Sequence, residues 1–268
     1  YYGYWPMASE AVLTVAKADE RRLVEGSPYR VPLPSPYNSY SRAGGVPAHD
    51  PEKRAHQMVL RPLFATGWLI ADQIDAEDAY GATQVVLSSA SSKTALSTAF
   101  VLARSGQVEV VGLTSPGNVA FCEATGSYDR VVTYDSVADL EGDTAVYVDM
   151  SGNVEVRQAV HERFGGGLKH SAVVGATHWN AESEGGSGDL PGPPPTFFFA
   201  PDRIATRIAE WGGTGFDERV AAGWDAFLAE GIDWMRIEEG SGPEEVERVY
   251  LEQLDGKADP SAGHVLSL

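Results

Sequence analysis

The sequence predicts an α/β protein built on a doubly wound parallel sheet, and three observations carry that prediction. From Gln84 onward, short β-branched runs alternate with stretches of helical periodicity. The runs are apolar almost throughout, as expected of strands covered on both faces. The first of them enters a helix through a turn of small, hydroxylated residues, Ser88-Ser89-Ala90-Ser91-Ser92-Lys93-Thr94.

The elements follow in order. Residues 1–54 are rich in Pro, Tyr and Gly and read as an irregular, partly β lobe, with a strand-like run at Ala11 to Ala16 and turns from Pro28 to Pro51. Met58, Leu60, Leu63, Phe64, Leu69 and Ile70 recur at helical spacing and predict one or two helices interrupted near Pro62. Strands are predicted at Gln84 to Ser88, Glu109 to Leu113, Arg130 to Tyr134, Ala145 to Asp149 and Ser171 to Gly175. Helices are predicted at Ser92 to Arg104, Pro116 to Thr125 and Val154 to Phe164. Ala181 to Pro195 is Gly/Ser/Pro-rich and reads as a surface loop. Beyond it, Thr196 to Ala200 is a further strand, and Pro201 opens a helix that runs to Trp211. Helices at Phe216 to Ala229 and Pro243 to Leu254 flank a strand near Trp234 to Glu238, with a last strand at His264 to Leu268. Residues 55–268 are thus expected to form one Rossmann-type domain.

Composition narrows the partners. A chain of 268 residues, 43% hydrophobic and 22% charged, can bury a sizeable core. The net charge of −18 disfavours nucleic acid and anionic membrane surfaces, since phosphate binding needs a basic face. The longest apolar candidate, Pro62 to Ala71, is bracketed by Arg61 and Asp72 and is too short to span a bilayer. Cys122 is the sole cysteine, so no intramolecular disulfide is expected, and a cytoplasmic location is consistent with that. The opening Tyr1-Tyr2-Gly3-Tyr4-Trp5-Pro6-Met7 reads as a cut edge of a longer polypeptide.

In an open parallel sheet, ligands bind beyond the carboxyl ends of the strands, and a pyrophosphate sits on the positive end of the first crossover helix. That places Ser89, Ala90, Ser91, Ser92, Lys93 and Thr94 as cofactor-binding candidates, against the plainer reading of a Ser-capped helix start. An acidic residue at the end of the second strand would hold a ribose 2′-OH and repel a 2′-phosphate. Here that strand runs into Thr114-Ser115-Pro116-Gly117-Asn118, without a carboxylate, which favours NADP (NADPH) over NAD. The later strand ends, Asp149-Met150-Ser151-Gly152 and Gly175-Ala176-Thr177-His178, fall on the same edge and would line the nicotinamide half. Asp149 reads equally as a buried helix-capping carboxylate. His178 is a candidate proton donor, and Tyr37 and Tyr40 of the N-terminal lobe are candidate substrate-facing phenols. His49, His56, His161, His170, His178 and His264 show no HxxxH or HExxH spacing, and no GxSxG elbow occurs, so neither a metal nor a serine nucleophile is expected.

The order of these pieces resembles the medium-chain dehydrogenase/reductase superfamily, particularly its zinc-free, quinone-oxidoreductase-like members. Val85 to Arg104, Val110 to Asn118 and Gly126 to Tyr134 carry the resemblance, which spans roughly Pro62 to Phe199. It implies an NADP-dependent oxidoreductase acting on a small-molecule carbonyl, quinone or activated alkene, with Thr114, Ser115, Asn118 and Tyr134 around the 2′-phosphate and Met150, Ser151 and Gly152 near the cofactor. It also implies a homodimer joined at the Phe197-Phe198-Phe199 edge. Two departures stand out. The glycines of the phosphate turn are replaced by Ser, Lys and Ala, and Tyr1 to Ala18 reads as only the tail of the family's N-terminal, substrate-side lobe. A non-catalytic nucleotide- or metabolite-binding protein that keeps the fold is the alternative.

Overall fold

The computed structural model describes residues 1–43, 51–174 and 190–268. Contacts divide the chain into two compact units, residues 1–61 with 236–268, and residues 62–235. The sequence reading instead placed the boundary at residue 54 and kept the C-terminal strands with the large sheet.

In the first unit, β1 (Val15–Ala18), β2 (Arg22–Glu25) and β3 (Ser39–Ser41) pair antiparallel in that order. The first strand begins later than the expected run from Ala11, and the lobe is more regular than its composition suggested. Helix α1 (Arg54–Ala76) is a single element that carries Pro62 inside it. A proline removes one backbone donor and crowds the preceding turn. The helix continues because its apolar face, including Phe64, Leu69, Ile70, Ala71 and Ile74, is buried. Phe64 packs on the rings of Trp224 and Phe227 at 5.4 and 5.0 Å.

The second unit contains the six-stranded sheet, in which every adjacent pair is parallel. Its elements are β4 (Gln84–Leu87), α2 (Lys93–Ser105), β5 (Glu109–Thr114), α3 (Val119–Ala124) and β6 (Arg130–Thr133). There follow β7 (Ala145–Asp149), α4 (Val154–Phe164), β8 (Leu168–Val173), β9 (Thr196–Phe197) and α5 (Ala200–Glu230). The strand order is β6-β5-β4-β7-β8-β9, so the crossovers reverse direction at β4, and ligands of such sheets bind at that switch point. Alternate residues of each strand feed two cores. Val85, Leu87, Val146 and Val148 join Ile70, Ile74, Ala95 and Ala99 on one face. Val86, Val111 and Tyr147 join Val156, Val160 and Phe164 on the other.

Thr196–Phe197 is an edge strand, shorter than the five residues expected from the apolar run. The two predicted helices after Pro201 meet at Gly212, whose φ of 73° and ψ of 162° break the helical path within α5. The chain closes, in the first unit, with β10 (Arg236–Ser241), α6 (Pro243–Leu254) and β11 (Ala262–Ser267), a parallel strand pair linked by a helix.

Candidate active site

The turn from β4 to α2 is held by side chains where a glycine-rich turn would rely on backbone freedom. Ser89 takes a left-handed conformation, φ 51°, that costs a non-glycine residue about 1–2 kcal/mol. Its N–H donates to the Tyr134 hydroxyl at 3.0 Å. The Ala90 N–H donates to the Leu113 carbonyl, and the Tyr128 hydroxyl donates to the Ala90 carbonyl at 2.8 Å. Gly112 makes this approach possible, because a Cβ there would lie 2.8 Å from that of Ala90. Ser92 caps α2, accepting from the Ala95 N–H. The N–H groups opening α2 and its positive dipole end therefore stand at the carboxyl edge of the sheet.

One strand across, Asn118 bridges hydroxyls. Its Nδ2 donates to Ser91 Oγ at 3.1 Å and to Ser115 Oγ at 3.3 Å, tying the end of β5 to the phosphate turn. Thr114 is buried, whereas Ser115 and Asn118 are half-exposed. Burial pushes the Tyr134 phenol above its ordinary pKa, so it stays protonated. Having accepted from Ser89, it keeps its own O–H as a donor. Sequence reading placed Tyr134 beside the second strand's end; its hydroxyl also reaches the turn itself.

On the other side, Asp149 at the end of β7 is fully buried and is not a helix cap. The cap of α4 is Asn153, whose Oδ1 accepts from the N–H groups of Glu155 and Val156. Asp149 Oδ1 accepts from Ser88 Oγ, Ser151 Oγ, and the N–H groups of Ser151 and Gly152, all at 2.9–3.0 Å. Its Oδ2 takes both Nε and Nη2 of Arg157 at 2.8 Å. Ser88 Oγ in turn accepts from the Met150 and Ser151 N–H groups. A buried carboxylate thus fixes the loop Met150-Ser151-Gly152 and a guanidinium that is about one-fifth exposed. The sequence reading missed Arg157, and it named Ser88 as the start of the phosphate turn without its bond to Asp149.

Tyr40 belongs to the first unit, with a fully buried ring and its hydroxyl donated to the Tyr4 carbonyl, which leaves nothing to offer a substrate. Tyr37, half-buried in that unit, packs on Tyr4 at 5.1 Å. Ala176, Thr177 and His178 lie outside the described residues. Among the described residues no group of three or more His, Cys, Asp and Glu side chains could hold a metal ion, and no helix is long and apolar enough to cross a membrane. Cys122 is buried, and that burial pushes its thiol up to about 11, so it is no nucleophile.

Comparison with known proteins places this architecture. A family model described as "Protein of unknown function (DUF2855)" matches residues 1–259. No curated protein matches the sequence. Among solved structures, the chain is similar to a putative NADPH:quinone reductase from Mesorhizobium loti, at TM-score 0.57 and 10% identity, covering 91% of this chain and 70% of that one. It is similar to CurA from Vibrio vulnificus in complex with NADPH, at TM-score 0.56 and 14% identity, covering 81% and 66%. The quinone oxidoreductase from Thermus thermophilus, solved also with NADPH, gives 0.53 and 17%, covering 88% and 76%. The chain spans 60% of the length of a further match, the yhdH oxidoreductase of Salmonella enterica (TM-score 0.48, 14% identity). At such identities the likeness is one of fold alone.

Proposed function

The chain belongs to that family of unknown function, and we propose that it is an NADP-dependent oxidoreductase moving hydride to or from a small carbonyl, quinone or activated alkene. The observation that carries this is the hydroxyl-and-amide edge at the end of β5, where Asn118 links Ser115 to Ser91 of the phosphate turn and no carboxylate intervenes. Ser115, Asn118 and Tyr134 would hold the adenosine end and its 2′-phosphate, beside the buried Thr114. The opening turn of α2, from Ser91 to Thr94, would hold the pyrophosphate. Met150, Ser151 and Gly152, clamped by Asp149, would pass under the nicotinamide half. Bound there, the dinucleotide would supply or accept the hydride. The protein's part is to fix the ring and exclude water, with His178 as the proposed donor to the acceptor oxygen. The NADPH bound in the Vibrio vulnificus and Thermus thermophilus structures supports the same reading. We further assign the protein to the cytoplasm and to a homodimer.

A second reading has its own support. The N–H groups of Ser89 and Ala90 are taken up inside the protein, which leaves fewer donors for a pyrophosphate and favours an altered pocket that binds a nucleotide or metabolite without catalysis. Saturation-transfer NMR with NADPH and NADH, followed by a turnover panel of quinones, enones and aldehydes, separates the two. Binding of NADPH with oxidation by at least one acceptor is expected. Binding without turnover would select the second reading, and no dinucleotide binding would overturn the first. Sedimentation as a monomer at micromolar concentration would overturn the dimer.

A further inference from the structure

A cavity of about 300 Å³ lies within the same unit, along β8 and β9, two strands away from the phosphate turn. It is walled by Gln73 and Glu77 of the α1 end and its turn, His170 of β8, Phe197 and Phe199, and Asp202 in the first turn of α5. From its lining we propose that it is a ligand site for a small organic cation, an ammonium group carried on a flat aromatic body.

The wall behind the cavity is built at a cost. After Glu77, three consecutive non-glycine residues turn left-handed, Asp78, Ala79 and Tyr80 at φ 49°, 46° and 55°. Residues with a Cβ ordinarily avoid that region. Such conformations persist only where the surroundings over-determine them, and they gather at ligand clamps. Here the turn buries Ala79 and lays the Tyr80 ring flat on His170, centroids 4.3 Å apart and planes 11° from parallel. The Tyr80 hydroxyl accepts from Gln73 Nε2 at 3.0 Å, which fixes it. The imidazole is therefore held rigidly at the cavity wall, and burial lowers its pKa so that it stands there neutral.

Charge selects the ligand. The cavity's arginine, Arg203, pairs with Asp72, at 2.7 Å from Nη2 and 2.8 Å from Nε, with the Asp72 carbonyl 3.0 Å away; Arg207 shares that carboxylate and pairs with Glu210, so the two guanidiniums are balanced by two carboxylates. The carboxylates of Glu77 and Asp202 make no ion pair among the described residues, so the charge offered to a ligand is negative. A phosphate or carboxylate ligand would meet repulsion there. Phe197 and Phe199 add two exposed rings, 25° from parallel, that suit an aromatic body and the cation beside it. The volume matches a small-molecule site.

The test uses the full chain with phenethylammonium as the probe and phenylacetate as its charge-reversed control. Ligand-observed NMR and calorimetry are expected to show millimolar or tighter binding of the ammonium and none of the carboxylate. Glu77→Gln with Asp202→Asn is expected to weaken it at least about tenfold, and Phe197→Ser to weaken it independently. Both changes fall at solvent-exposed positions, and unchanged thermal unfolding verifies the fold. The same variants titrated with NADPH report the dinucleotide site separately. Absence of phenethylammonium binding at millimolar concentration, equal binding of both probes, or binding indifferent to the charge substitutions would overturn the proposal.

Discussion

The carboxyl ends of β4 and β7 and those of β5 and β6 lie on one edge of the same sheet, yet they are built in opposite ways. At β4 and β7 the polar groups turn inward, with a fully buried Asp149 collecting Ser88, Ser151, Gly152 and Arg157. At β5 and β6 the hydroxyls of Ser115 and Tyr134 and the amide of Asn118 are only half-buried and remain available to a ligand. The difference teaches where rigidity and recognition are divided. One half holds the backbone in place with a charge that cannot be removed cheaply, and the other presents neutral donors and acceptors.

The largest expected effect breaks the rigid half. Asp149→Ala leaves Arg157 without its partner inside the protein and should cost about 3–5 kcal/mol, read as a lowered urea midpoint. Converting both, Asp149→Leu with Arg157→Met, should recover most of that loss, and failure to recover would mean that the hydrogen bonds of Asp149 matter more than its ion pair. On the open half, Ser115→Asp should leave stability within about 0.5 kcal/mol of the wild type. It should weaken NADPH by about tenfold or more while sparing NADH, because the new carboxylate opposes a 2′-phosphate. Between the halves, Ser89→Gly should stabilise by about 1 kcal/mol, since glycine adopts the positive φ without strain. An unchanged or lowered midpoint would show that the Ser89 side chain is itself needed.

A pH effect comes next. His161 is buried, with Nδ1 donating to the Pro191 carbonyl at 2.9 Å, so Nε2 accepts from Ser171 Oγ at 2.9 Å and the ring is neutral. Burial lowers its pKa from the ordinary 6.5, and the same cause acts on His56 and His170. The unfolded chain then binds more protons below pH 6.5, so stability is full above that pH and falls as pH drops toward the folded pKa. Each histidine contributes a slope of up to about 1.4 kcal/mol per pH unit. His161→Gln should flatten the curve in that window, and an unaltered slope would assign it to other groups. The smallest effect concerns Cys122, whose buried thiol should resist alkylation at neutral pH until the protein unfolds.

Much of the sheet was legible because fully covered strands must be largely apolar on both faces, which residues 85–87 and 145–148 satisfy, all of them buried. What escaped depended on distance in the chain. Arg157 reads locally as one more charge on a helix, and only the fold sets it against a carboxylate eight residues earlier. Tyr134 lies 45 residues from Ser89, and no local pattern announces that its hydroxyl takes that N–H. The grouping of residues 236–268 with the N-terminal unit is likewise a tertiary fact. Pro62 misled because burial of the α1 face outweighs the lost bond. The left-handed turn at Asp78 to Tyr80 has no warning beyond Gly81, since alanine and tyrosine ordinarily avoid that region.

The most direct test of the central claim is a calorimetric titration of the full chain with NADPH and, in parallel, with NADH. Saturable NADPH binding at least about tenfold tighter than NADH binding is the expected result. No heat from either dinucleotide, or tighter binding of NADH, would contradict the assignment of the β5 edge as a 2′-phosphate site.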